Sequence, residues 1–315
     1  FKGFIAKIAL AVIGFAGTIY FARVLGSTGY GIYGTILAAA VVLNNPITGI
    51  GDACKKRVSE VDGQIGEIIS VALITAIIGG AAIAALAFGI ERSIGYFDIS
   101  RSTILLPFMI VCISAFVITQ QVLSGTGQFG NAIISDMVRS LLTIPIQIAL
   151  VTLGFGVTGM VIGISTASIL LVPFMLISVG TLPAIPSQNT LIDLWEYAKF
   201  SIPTGFVGAT YSRLDILLLN GVLGAAAAGE YKIAYQLVLP GTMLSGVMSS
   251  GLFAEVSEKA SRNQSIDTRV TNNIAFASLV SIPLAFGAGA MPSDLLTTIF
   301  GPEYKNAHFL LIGLG

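Results

Sequence analysis

The sequence predicts an all-α, polytopic membrane protein folded as a two-lobe helical bundle. Three observations carry this. Only 10% of the residues are charged and 55% are hydrophobic, whereas soluble domains carry about 25% charged residues. Mean hydropathy is +0.90. Apolar stretches of 18 or more residues recur along the whole length, each long enough to cross about 30 Å of hydrocarbon as a helix. Strand-like alternation is absent, which disfavours a membrane β-barrel.

Apolar runs punctuated by Gly, Pro and charge give ten candidate helices. They fall near 3–21, 31–51, 65–89, 103–123, 132–153, 157–180, 200–222, 229–251, 270–290 and 305–315. The last is cut short in "FLLIGLG", so the chain reads as a fragment missing part of its C-terminal portion. It begins with Phe1, and no cleavable signal peptide is visible.

Positive charge sets the expected orientation. With the N-terminus inside, ten basic residues fall on the inner side, the "KKR" of Lys55, Lys56 and Arg57 among them. Five fall outside: Arg23, Arg92, Arg101, Lys232 and Lys305. Tyr30, Tyr33, Tyr96, Tyr231 and Tyr304 lie near outer ends, where amphipathic rings favour the headgroup level. The sequon at Asn263 falls inside and is expected to carry no glycan.

Between the sixth and seventh spans, "SQNTLIDLWEYAKF" (187–200) follows a Pro-rich "LPAIP" and reads as an amphipathic interfacial helix. Thr190 and Asp193 have capping-box spacing, and Leu191, Leu194, Trp195 and Ala198 share one apolar face. The expected division is therefore a six-helix lobe at 1–186, a linker at 187–200 and a partial second lobe at 201–315.

The lobes are expected from an internal repeat. "VLGSTGYGIY" at 24–33 matches "VLGAAAAGEY" at 222–231, and the same offset of 198 carries "VSE" at 58–60 onto 256–258. Eight identities fall in the 39 positions of 22–60, clustered at the two ends of one helix pair. Chance similarity would scatter them over Ala, Leu and Val. Six predicted helices separate the copies, so both have the same orientation, as in parallel transporter repeats. "FGPEYKNA" at 300–307 looks like the same turn a third time.

Charge at membrane depth marks candidate pathway residues, because a charge at the bilayer centre costs about 2.5–3.5 kcal/mol or more. Arg213 and Asp215 interrupt "TYSRLDILLL", about 21 and 24 Å along a helix from Lys199. They point to different sides. Ser201, Thr204, Gly208, Tyr211, Ser212 and Asp215 form a polar stripe expected to face other helices. Asp215 is too short to reach the headgroups and is expected to be buried. Arg213 can bind a phosphate bidentately or reach toward the headgroups. Asn44 and Asn45 precede Pro46, which frees a backbone carbonyl; Pro240–Gly241 suggests a matching hinge in the other copy. Arg139, three residues after Asp136, and the deeper Gln147 complete the candidate set. Asp52 and the "KKR" are expected to set topology.

Other chemistries find little support. Zero net charge gives no field for nucleic acid, and His308 is the lone histidine, which excludes a His-based metal cluster. Cys54 in a basic loop and Cys112 inside a span are not expected to pair. The longest loops carry scattered single acids, so no enzyme and no cofactor is expected.

"ARVLGSTGYGIYG", "GIGDACKKRVSE", "GFGVTGMVIG" and "LDILLLNGVLGAAAAGEY", in that order, resemble the polysaccharide biosynthesis proteins, or O-antigen flippases. These belong to the multidrug/oligosaccharidyl-lipid/polysaccharide exporter superfamily. The resemblance implies a multidrug-exporter-like bundle of 12–14 helices in the cytoplasmic membrane. It implies a flippase moving a lipid-linked oligosaccharide on an isoprenoid phosphate carrier by alternating access, possible coupling to a proton or sodium ion included. The alternative within the superfamily is a cation-coupled multidrug or metabolite antiporter. An arginine among sparse acids favours the anionic substrate.

Overall fold

The computed structural model describes residues 2–60, 64–95, 102–239 and 267–314. Every regular element among them is helical: α1 (Lys2–Leu43), α2 (Asn45–Glu60), α3 (Ile65–Ile74), α4 (Gly80–Ile94), α5 (Ser102–Gly125) and α6 (Phe129–Leu150). Then follow α7 (Gly156–Val179), α8 (Gln188–Leu223), α9 (225–239), α10 (Asp267–Ala290), α11 (Pro292–Phe300) and α12 (His308–Leu314). A π-helical turn at Thr75–Gly79 joins α3 to α4, another at Val151–Phe155 extends α6, and a 3-10 turn at Pro302–Ala307 precedes α12.

Among the described residues, four apolar stretches are long enough to cross a membrane: Leu10–Leu43, Ile65–Ser93, Ile104–Gly125 and Phe129–Val179. Two of them, of 34 and 51 residues, are too long for one crossing, since the shorter would extend about 51 Å as a straight helix. Each is broken by glycine at positive φ, a region open to a residue without Cβ. Gly26 (φ 67°, ψ 180°) breaks α1, and Gly154 (φ 88°) and Gly156 (φ 52°) separate α6 from α7. The first, second, fifth and sixth expected spans are recovered in this way.

The second crossing, 27–43, runs on into α2 after a turn at Asn44. Pro46 has no N–H to give the Val42 carbonyl, while the Asn44 carbonyl accepts from both Ile47 N and Thr48 N at 3.1 Å. Cys54, expected in a loop, lies within α2 and is buried. Both cysteines are free.

The stretch 187–200 is not a separate segment. Gln188–Leu223 is one helix, with Ser187 rather than Thr190 as its N-cap, accepting from Thr190 N at 3.3 Å. Thr190 Oγ1 donates to Glu67 at 2.5 Å, and Asp193 pairs with Arg57. Leu194 and Ala198 are buried against α2 and α3, while Leu191 and Trp195 are exposed. A polar sequence ends a membrane span, but it does not end a helix: α8 runs on even through Pro203 and stops at the positive-φ Gly224. α11, where a loop was expected, obeys that punctuation, with Pro292 in its first turn and Gly301 after its end. Pro240–Gly241, Tyr96, Asn263 and the second "VSE" lie outside the described residues.

α8 runs antiparallel to 27–43 and α2 along most of their length. At one end Arg57 meets Asp193, midway Gly49 lies against Ile202, and toward the other end Gly34 lies against Ile216. That other end, bearing Gly26, Gly224 and Gly301, holds the largest core cluster, including Phe21, Tyr30, Tyr33, Ile36, Met109 and Tyr304. Tyr30, Tyr33 and Tyr304 are buried in it rather than spread at a membrane surface, a correction to their reading as interface markers.

Candidate functional site

The repeat copies share backbone geometry as well as sequence. Gly26 and Gly224, 198 residues apart, have φ/ψ of 67°/180° and 87°/173°, and Gly301 of the third turn has 113°/166°. Tyr33 and Tyr231 are equivalent positions too, and each ties its helix to a neighbour in its own copy. Gln147 Nε2 donates to the Tyr33 hydroxyl at 3.2 Å, while the Tyr231 hydroxyl donates to Asp215 Oδ2.

Over Tyr30 and Tyr33 of α1 stands Lys232, on α9. Its ammonium lies 4.3 Å from the centre of the Tyr30 ring and 4.6 Å from that of Tyr33. A cation over aromatic faces is attracted by their quadrupoles, more so where water is excluded. Gly34 makes room for the stem: a Cβ there would come within 2.7 Å of Lys232 Cδ. Arg213 on α8 is exposed. Among the described residues, no carboxylate forms an ion pair with either cation.

Three candidate residues lie along one polar track, and Arg213 is not tied to it by any contact among the described residues. Gln147 reaches Lys232 through Tyr33, and Asp215 is held by Tyr231, the neighbour of Lys232, so the track runs along α6, α1, α9 and α8. Arg139 extends it: Arg139, Thr143 and Gln147 recur on one face of α6 at four-residue spacing. The Arg139 guanidinium bonds Asp136 Oδ1 at 2.7 Å and stacks 4.5 Å from the Phe116 ring. Its Nε is buried without a partner among the described residues. Gln147 is buried and also donates to the Met160 carbonyl at 2.8 Å.

Other expectations need correction. Asp215 is exposed rather than buried, and its carboxylate is satisfied by Tyr231 and by Ile216 N at 2.8 Å. Thr204, Gly208, Tyr211 and Ser212 of its stripe are exposed as well, because α8 packs through the neighbouring face of Leu194, Ala198, Ile202 and Ile216. Asn44 is buried, with Oδ1 accepting from Ser114 Oγ at 2.5 Å, so its amide bridges two helices of the first copy. Asn45 faces α8, where a Cβ on Gly205 would meet Oδ1 at 2.5 Å.

Lys232 was missed from sequence. Its place just beyond the "GEY" turn reads as an interfacial charge. The signal that could have found it is the repeat, since its equivalent is Gly34.

Asp52, half-buried on α2, accepts from Gln121 Nε2 at 2.8 Å and from Ser201 Oγ at 3.4 Å. Burial pushes its carboxyl above the ordinary value, opposed by the Ser201 bond and the charge of Lys55.

The helical architecture and the polar seam define a multi-pass membrane protein with a multidrug-exporter-like bundle. An inward-facing structure of a multidrug resistance MATE family transporter of the MOP superfamily superposes with a TM-score of 0.67 at 15% identity, covering 98% of this chain and 78% of that one. The chain belongs to the polysaccharide biosynthesis protein family, whose match covers residues 20–308. It is similar to the probable low-salt glycan biosynthesis flippase Agl15 of Haloferax volcanii, at 26% identity over 99% of this chain and 66% of the relative. It is also similar to the probable flippase AglR of the same organism, at 25% identity over 96% of this chain and 64% of that protein. The chain thus spans just under two thirds of the length of these relatives.

Proposed function

We propose that this chain carries the substrate path of a flippase that moves a lipid-linked oligosaccharide across the cytoplasmic membrane by alternating access. The observation that carries the reading is the Lys232 ammonium, held over the Tyr30 and Tyr33 rings without a carboxylate ion pair among the described residues. A cation placed so favours an anion, and the phosphate linkage of an isoprenoid carrier supplies one. The exposed stripe of α8 gives sugar hydroxyls partners beside it, while the isoprenoid tail stays in lipid. The names of the Haloferax relatives agree with this substrate class.

In this reading the N-terminus and the "KKR" end are cytoplasmic, and the end bearing the three glycine turns faces outward. Residues 1–186 and 201–315 form the two moving lobes, joined by the first turns of α8. Asp215, held by Tyr231, is the candidate for a coupling proton or sodium ion.

The test is reconstitution of the intact protein in liposomes with a fluorescent short-chain isoprenoid pyrophosphate sugar, scored by the fraction reachable from outside. Transbilayer movement of the pyrophosphate compound, and little of a neutral analogue, is expected. Equal movement of both, or transport of a cationic dye instead, overturns the reading in favour of an antiporter.

A further inference from the structure

Equivalent positions of the two repeats touch each other at the glycine-turn end. A Cβ on Gly31 would lie 1.8 Å from the Ala225 carbonyl oxygen, and a Cβ on Gly229 would lie 2.0 Å from the Ser27 carbonyl oxygen. The offset of 198 carries Ser27 onto Ala225 and Gly31 onto Gly229, so the contact is reciprocal. A self-complementary contact of this kind places a local two-fold axis between the two glycines. Only glycine permits so close an approach, and backbones that meet without interlocking side chains can separate without repacking.

The third turn straps this crossing. Glu303 Oε2 accepts from Ser27 N at 3.2 Å, at the start of helix 27–43, where unpaired N–H groups and the helix dipole favour a carboxylate. Arg23 donates through Nε to the Ile299 carbonyl at 2.8 Å and through Nη2 to the Thr298 carbonyl, at the end of α11, where a cation is favoured. The Tyr304 hydroxyl donates to the Ala22 carbonyl at 3.2 Å. Arg23 is exposed and water can replace its bonds, which suits a contact that must break.

We infer that this end is a gate, closed in this structure, which opens by parting the Gly31–Gly229 crossing, with Glu303 and Arg23 as its latch. The inference rests on the proposed function only in requiring that the two lobes move; the substrate does not enter.

The test uses the intact protein in nanodiscs, with Cys54 and Cys112 replaced by alanine and one probe, Ala228→Cys. Ala228 is fully buried against Ala38 and Ile216, next in sequence to Gly229 of the crossing. Glu303→Gln, which removes the charge from one hydrogen bond, and Arg23→Ala, which removes two, are each expected to speed modification of this thiol by a soluble methanethiosulfonate about tenfold. Gly31→Ala should expose it with the latch intact. Unchanged rates in both latch variants, at normal yield and fold, overturn the gate. Faster labelling together with failure to move the lipid-linked sugar leaves the gate standing and sinks the substrate; normal movement with unchanged labelling does the reverse.

Discussion

Lys232 of the second repeat holds its ammonium 4.6 Å from the ring of Tyr33 in the first, and the Tyr33 hydroxyl in turn accepts from Gln147. One lysine thereby connects the polar interior of one half of the bundle to the charged helix of the other. Lys232→Met keeps the stem and deletes the charge. It is expected to lower the thermal midpoint of the detergent-solubilised protein, since such a contact is worth about 0.5–2 kcal/mol, and to reduce flipping of a pyrophosphate-linked lipid more than tenfold. Lys232→Arg should recover most of that flipping; no recovery would separate the charge from the transport step.

Asp215 and Arg213 face different sides of α8 and are expected to fail differently. Asp215→Asn leaves an acceptor for Tyr231 but removes the charge that strengthens the bond, and Arg213→Ala removes a cation that no described carboxylate pairs. Each should impair glycan export in a complementation assay. Full export by both variants at normal expression removes them from the pathway.

Asn44 illustrates the opposite case. Its Oδ1 is the side-chain acceptor for buried Ser114, so Asn44→Ala should cost about 1 kcal/mol of stability through one lost hydrogen bond. The single Ser114 proton can turn to the Ile110 carbonyl at 2.7 Å instead, so the hydroxyl is not left unsatisfied. Flipping per folded molecule should be unchanged; a lower rate in the folded fraction would restore Asn44 to the pathway.

Asp52 should make stability depend on pH. Its carboxyl is raised in the folded protein by burial, so the fold binds that proton more tightly than the unfolded chain does. The resulting stabilisation is complete below the ordinary carboxylate value and is lost as pH rises through the shifted one. Asp52→Asn keeps an acceptor for Gln121 and cannot titrate. Its thermal midpoint should therefore fall less between about pH 4 and 7 than that of the unaltered protein. Superimposable pH profiles would contradict the assignment.

Much of the helical plan was legible because its determinants are local. Apolar length and the placement of glycine gave the crossings, including the breaks at Gly26 and Gly156 that divide continuous apolar sequence. The likeness of "VLG…GIY", "VLG…GEY" and "FGPEY" anticipated three turns that share an extended ψ at a positive-φ glycine. Gln147, Arg213 and Asp215 were legible as polar residues at the wrong depth. Less legible was what each one touches. Asn44 beside a proline reads as a hinge or a sugar ligand, yet its amide is spent on Ser114. Asp215 reads as buried, yet α8 turns a neighbouring face to its partners.

The sequence by itself determined the all-helical membrane class, several of the helix breaks and the existence of a repeat, because hydrophobic length, helix breakers and periodicity act within a few turns of chain. Only the tertiary structure decided that Gly31 meets Gly229, that Lys232 enters between Tyr30 and Tyr33, and that Glu303 caps the helix after Gly26. These residues lie 198 or more positions apart, or meet at a helix crossing. Which faces oppose one another there depends on the angle and depth at which two helices pack, and no local pattern encodes that.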